Sequence, residues 1–208
     1  MSYISLEKES STEFTERKSV FIGSARPVKT EAEALGFIAS VRKKYADATH
    51  NVYAYVLRDN NISRFSDDGE PHGTAGLPVL DVLRKEGITD AVIVVTRYFG
   101  GILLGAGGLV RAYTASAKAA VDKAGRAEWR PFAVFTVECD YSYHQKLSYY
   151  YKKNDVTVEN AEYGSSVTCR LTAASEKLDA VFADVSALTN GKAAAKYVGE
   201  EYRPVKKP

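Results

Sequence analysis

Cysteine is almost missing from this chain: Cys139 and Cys169 are the only two in 208 residues, and they form no CxxC pair. That excludes a disulfide-stapled scaffold or a zinc ribbon, and both residues are expected as buried, reduced thiols within strands. Histidine is equally sparse. His50, His72 and His144 show no HExxH or paired spacing, so no histidine-built metal site is expected. Neither charge sign dominates: 28 Lys+Arg against 26 Asp+Glu leave a net +2, which excludes a polycation and allows only a local basic face. No apolar stretch approaches the roughly 18 residues of a membrane span, and the opening MSYISLEKESSTEF lacks the apolar run of a signal peptide. A cytoplasmic monomer with no membrane partner is expected.

What is present is hydrophobic patterning in two blocks. EFTERKSVFIGSARPV reads as one or two strands ended by Pro27, and TEAEALGFIASVRKKY as an amphipathic helix with Leu35, Ile38, Ala39 and Val41 on its apolar side. THNVYAYVL and ISRFSDD read as strands, the second closing at an Asp68-Gly69 turn. A helix follows from Leu77–Val79 to Lys85, with Pro78 in its first turn. AVIVVT is a β-branched run expected to be buried on both faces. RYFGGILLGAGGLVRAY then leads into an alanine-rich helix ending near Gly125. Glycine, charge and Pro131 in GRAEWRPF mark a boundary, giving domains 1–126 and 127–208. Beyond it the order is strand, helix, strand, strand, helix, strand, the ferredoxin-like βαββαβ unit. The expected fold class is α+β in two domains.

Two constellations carry chemistry. A strand, a glycine-rich loop and a helix start suit an anion, because backbone N–H groups point out of a helix N-terminus. However, neither the Walker spacing nor the dinucleotide fingerprint fits. Gly100, Gly101, Gly105, Gly107 and Gly108 therefore serve either backbone geometry or a direct anion contact. Arg97, Tyr98, Phe99, Arg111 and Tyr113 around them suit phosphate, carboxylate or nucleobase groups. The second constellation, RFSDDGEPHGTAGLP, places Asp67, Asp68 and Glu70 in four positions. Such density fits Mg²⁺ or a general base, or else a solvated turn in which Asp67 pairs with Arg64 or a loop arginine. Gly73, Thr74 and their neighbours bring amides beside those acids. Ser66, His50 and Asp81 assemble a triad only on paper, without a GxSxG elbow. In the second block, Tyr141, Tyr143, Tyr149, Tyr150, Tyr151, Lys152 and Lys153, with the tail Arg203, Lys206 and Lys207, offer either core packing or an RNA or protein surface.

THNVYAY, RFSDDGEPHGTAG and VIVVTRYFGGILLGAGGLVRAYTASA together resemble the YigZ branch of the IMPACT family, across nearly all of residues 15–125. The resemblance implies a first domain like the second domain of ribosomal protein S-five, an α/β sandwich. It also implies a small ferredoxin-like second domain similar to the last domain of elongation factor G. It implies, too, a link to translation: the tandem of folds suggests ribosome or RNA contact, and eukaryotic relatives act on the kinase that senses amino-acid starvation by binding its activator protein. Those relatives carry a different N-terminal domain in place of this chain's second half. The shared motifs fall on His50, Asn51, Arg64, Ser66 to Pro71, Gly73 to Gly76, Arg97 to Gly101, Gly105, Gly107, Gly108, Arg111 and Tyr113, as binding candidates and not as catalytic residues. The resulting expectation is a non-enzymatic regulator tied to translation, with no cofactor and no metal. Its candidate partners are RNA, the ribosome or another protein. The rival is a Mg-dependent hydrolase or transferase, with the acids on the metal and Arg97 and Arg111 clamping a phosphorylated small molecule.

Overall fold

The computed structural model describes residues 1–205. The chain divides into two compact units, Tyr3–Glu128 and Trp129–Val205, the latter grouped with Met1–Ser2. In chain order the elements are β1 (Tyr3–Leu6), β2 (Ser10–Glu16), β3 (Ser19–Pro27), α1 (Glu31–Lys44), β4 (His50–Leu57), β5 (Ile62–Ser66), α2 (Gly76–Lys85), β6 (Ala91–Tyr98) and α3 (Gly105–Ala124). They continue with β7 (Arg126–Cys139), α4 (Tyr141–Lys153), β8 (Thr157–Tyr163), β9 (Val167–Ala174), α5 (Leu178–Leu188) and β10 (Ala194–Val205). Among the described residues no helix is long and apolar enough to cross a membrane.

The first unit is built on the sheet β2-β3-β6-β4-β5, in which every neighbouring pair is antiparallel. The β-branched run in β6 is its centre, and its period of two sorts the side chains. Val92 and Val94 join Phe37, Ile38 and Val41 of α1 on one face, while Ile93 and Val95 join Leu80, Leu83, Ala117 and Val121 of α2 and α3 on the other. Arg97 continues the second series, so the same parity directs a guanidinium under α3. The register sets it opposite Phe21 on β3 and His50 on β4.

Three expectations are corrected here. The buried face of α1 is Ala34, Phe37, Ile38 and Val41, whereas Leu35 and Ala39 are exposed. The phase of a helical stripe depends on what it packs against, and here Phe37 and not Leu35 meets the sheet. The two units do divide inside GRAEWRPF, after Glu128, but glycine, charge and Pro131 do not interrupt the pattern there, because β7 runs through it. The short β1 was not foreseen. Its Ile4 carbonyl accepts the Thr89 N–H, and Leu6 is fully buried in the first unit's core.

The second unit has the βαββαβ order, with β8 beside β9, β9 beside β7 and β10 also on β7. Phe135, Val137, Cys139, Cys169 and Leu171 face Leu147, Tyr151, Val181 and Val185 of its two helices. Both cysteines are free and buried, and burial pushes both thiols up. Of the tyrosine cluster, Tyr151 is core, Tyr143 and Tyr150 pack against it, and Tyr141 and Tyr149 are exposed. Arg203 pairs with Glu159 and Glu201, so its charge is internally balanced. Lys206 and Lys207 lie outside the described residues.

Candidate functional site

The acidic turn after β5 holds three carboxylates that sequence spacing groups and the backbone separates. Asp68 takes φ +45° and Gly69 φ +87°, so successive side chains leave in different directions. Asp67 turns to the start of α2. Its Oδ1 accepts the N–H groups of Gly76 at 2.7 Å and Ala75 at 3.2 Å, and its Oδ2 accepts that of Gly73 at 2.9 Å. The amides of HGTAG are thus satisfied by an anion from the same chain, which replaces the side-chain N-cap that Ala75 cannot supply. Asp68 accepts from Arg42 at 2.6 Å and from the Asn51 backbone N–H at 2.6 Å. Glu70 turns inward.

Burial pushes the Asp67 carboxyl up, but the three backbone N–H bonds outweigh that and hold it below the usual carboxylate range. A depressed folded pKa contributes stability that is present above the unfolded value of about 3.9 and lost as the pH falls through the folded one. We therefore expect Asp67→Asn to cost about 1–2 kcal/mol at neutral pH, with the gap from wild type closing below about pH 4. Urea midpoints measured at neutral and acidic pH check this, and a gap that persists in acid would remove the capping role.

Glu70 and Arg97 form a buried ion pair beneath α3, their side chains only 4% and 5% exposed. Arg97 Nη1 donates to Glu70 Oε1 at 2.6 Å, and the Tyr113 hydroxyl donates to the same oxygen at 2.7 Å. Burial first, then the Glu70 hydrogen bond, push the Tyr113 phenol far above its ordinary value, so it stays a donor. The guanidinium lies over the rings of Phe21 and Phe99, at 5.5 and 5.4 Å from their centroids. Its Nη2 reaches Ser19 Oγ at 3.4 Å, while Nε is buried without a partner. His50 stands at the edge of this network, its Nε2 3.8 Å from Glu70 Oε1. Its Nδ1 lies 2.8 Å from the Asp68 carbonyl, and since a carbonyl only accepts, that nitrogen carries the proton.

Above the ion pair opens a pocket of about 360 Å³. His50, Glu70, Pro71 and Arg97 line it together with the apolar Phe99, Leu103, Leu104 and Leu109. Its rim is apolar and exposed, with Leu103 81% and Phe99 44% accessible. A charged floor already neutralised from within and an apolar rim suit an apolar occupant better than an ion.

The remaining predicted residues fall into place around these features. Asn51 is structural: its side chain accepts from the buried Thr96 hydroxyl at 2.7 Å. The Thr74 hydroxyl donates to the Pro71 carbonyl and the Tyr98 hydroxyl to Asp47. Gly100 is where glycine is required, since an added Cβ would lie 2.0 Å from the Lys18 carbonyl oxygen. Gly101 and Gly105 take left-handed φ values of +82° and +70°, and Gly107 and Gly108 lie in the first turn of α3.

Four site expectations are corrected. Arg64 is exposed and donates to the Ser63 carbonyl, so it is no partner of Asp67. Arg97 and Arg111 make no joint clamp, because Arg97 is sealed against Glu70 and Arg111 is exposed beside a different cavity. The three acids converge on no common point, and among the described residues no group of three or more His, Cys, Asp or Glu could hold a metal ion. Asp81 lines a third cavity, away from His50. Sequence reasoning missed Thr49, Leu103, Leu104 and Leu109 as pocket walls. Leu103 and Leu104 had one signal, the apolar ILL between the glycine pairs of a loop.

Comparison with known proteins agrees with this architecture. The Impact N-terminal domain matches residues 17–121, and a domain of unknown function, DUF1949, matches residues 137–192. The IMPACT family member YvyE of Bacillus subtilis (strain 168) is 37% identical over 192 residues, covering 92% of this chain and 88% of that protein. The IMPACT family member YigZ of Escherichia coli (strain K12) is 33% identical over 178 residues, covering 84% and 87%. A crystal structure of a hypothetical protein aligns with a TM-score of 0.63 at 30% identity, covering 95% of this chain and 98% of that one. With the two domain matches in chain order and relatives similar along most of their length, the chain belongs to the IMPACT family.

Proposed function

We propose that this protein is a non-enzymatic cytoplasmic regulator linked to translation, whose first unit docks a protein partner on the ribosome through an apolar anchor in the pocket above Glu70 and Arg97. The observation that carries the reading is the pairing of an apolar rim with a floor whose charges are already spent. A catalytic pocket needs an acid, base or nucleophile free to act on substrate, yet this pocket's one carboxylate, Glu70, is engaged by Arg97 and Tyr113, so His50 at its edge has no free acid to work with. A protein interface needs the opposite: a central apolar anchor in a pocket, with water excluded around it. Membership of the IMPACT family supports the translation link.

Cosedimentation with bacterial ribosomes tests both parts. Wild-type protein is expected in the ribosomal pellet, with association persisting above about 150 mM salt because burial of apolar surface is not screened. Leu103→Ser is expected to weaken it about tenfold or more, as loss of an interface anchor does, while shifting stability by less than about 0.5 kcal/mol because the side chain is exposed. No association at any salt concentration would remove the link to the ribosome. Association indifferent to Leu103→Ser would move docking off the pocket.

A further inference from the structure

The side chains of the turn joining β2 to β3 serve neither the core nor the pocket above Glu70. Glu16 pairs with Ser19, so Arg17 and Lys18 are the two tip residues of a hairpin. Both take positive φ, +45° and +65°, the geometry that favours Asn-Gly or Asp-Gly in a two-residue loop. The left-handed region costs other L-residues roughly 1–2 kcal/mol each, so the backbone pays to carry two long cations here.

Among the described residues these charges have one ion pair between them, and it is a long one. Arg17 approaches Glu16 only to 3.9 Å, with 61% of its side chain exposed. Lys18 and Arg111 are exposed and make no ion pair with the described residues. Arg17 and Arg111 line the same cavity, of about 260 Å³, with Glu16 as its single acid. The Arg111 side chain runs back along α3, its Nη1 3.6 Å from where a Cβ on Gly107 would stand. It therefore covers bare backbone at the start of a 20-residue helix that has no side-chain cap and no acid in its first turn. A cation at a helix N-terminus opposes the macrodipole, so an anion would relieve what the chain itself leaves unbalanced.

We propose that Arg17, Lys18 and Arg111 form a contact surface for the phosphate backbone of a nucleic-acid strand. The three cations carry the inference and the helix end only adds to their field. They are solvated and spread over a turn and a helix. Each is worth little against a single screened phosphate, whereas a polyanion gains by releasing its condensed counterions. Contacts of this kind position a strand without reading its bases. The inference is independent of the pocket.

Fluorescence anisotropy of the full chain with a labelled oligouridylate of about 12 nucleotides tests it, over about 50–200 mM KCl. Three phosphate contacts on a single strand predict that log Kobs falls with log[salt] with a slope of about −2, roughly a 15- to 20-fold loss across that range. Arg17→Ala with Arg111→Ala should bring the slope to about −0.7, while lysine at both positions should keep it near −2. Leu103→Ser should bind the strand as wild type does, which separates this surface from the ribosome-docking pocket. Three results would overturn the proposal: no binding at the lowest salt, a slope unchanged by the double alanine variant, or displacement by inorganic phosphate beyond the effect of matched ionic strength.

Discussion

Glu70→Ala is expected to destabilise the first unit by about 3–5 kcal/mol, most of the margin of a domain of ordinary stability. The substitution leaves the Arg97 guanidinium buried with a weak contact to Ser19 Oγ at 3.4 Å, and leaves the Tyr113 hydroxyl without its acceptor. The cost is that of an uncompensated buried charge and not of a lost attraction, because two ions taken out of water regain from each other little more than desolvation removed. A second expectation follows from the same logic. Replacing the whole network with apolar groups, Glu70→Leu with Arg97→Met and Tyr113→Phe, should recover most of the loss, and the triple variant should lie within about 2 kcal/mol of wild type. Urea unfolding of the two variants beside wild type decides this. A loss below about 1 kcal/mol for Glu70→Ala would mean that water reaches the pair freely.

Gly100→Ala is expected to cost about 3 kcal/mol or more, at the top of the range for overpacking. The new methyl would stand 2.0 Å from the Lys18 carbonyl oxygen, 2.1 Å from its carbon and 2.5 Å from the Ser19 nitrogen. All three are backbone atoms of a hairpin held by the Gly100 N–H bond to Ser19 Oγ at 3.2 Å, so no rotamer change relieves the clash. Gly107→Ala is the contrasting case. It meets only the Arg111 Nη1 at 3.6 Å and sits in the first turn of α3, so it should be neutral or stabilising by up to about 1 kcal/mol. Thermal melts of both variants separate glycine kept for close approach from glycine kept for other reasons. Equal melting temperatures would show that the loop does not need its approach to Lys18.

Much of the fold was legible because its signals are local. AVIVVT is a buried central strand because a run apolar at both parities must be covered on both faces, and β6 is. The six segments of the second unit follow from periodicity alone, and α3 ends at Ala124, before Gly125, as the glycine signal implied. The phase of α1 was not legible, because Leu35 and Phe37 compete for one face and only the sheet chooses between them. The site was legible as a list of residues but not as an arrangement. Asp67, Asp68 and Glu70 read as one cluster, and two successive left-handed residues send them to a helix start, an arginine on α1 and the core.

From the sequence alone come the order of the elements after β1, the two-block organisation and the motifs shared with the IMPACT family, since these rest on spacing along the chain. The tertiary structure alone decides which charges are spent and which remain available. Arg97 and Arg111 look alike as flanks of one glycine loop, yet strand parity buries the first against Glu70 while helix phase leaves the second in water. Pairing is a matter of distance and burial between residues far apart in the chain, Glu70 with Arg97 and Asp68 with Arg42. Only the packed sheet and helices bring those partners within reach of each other and out of reach of solvent.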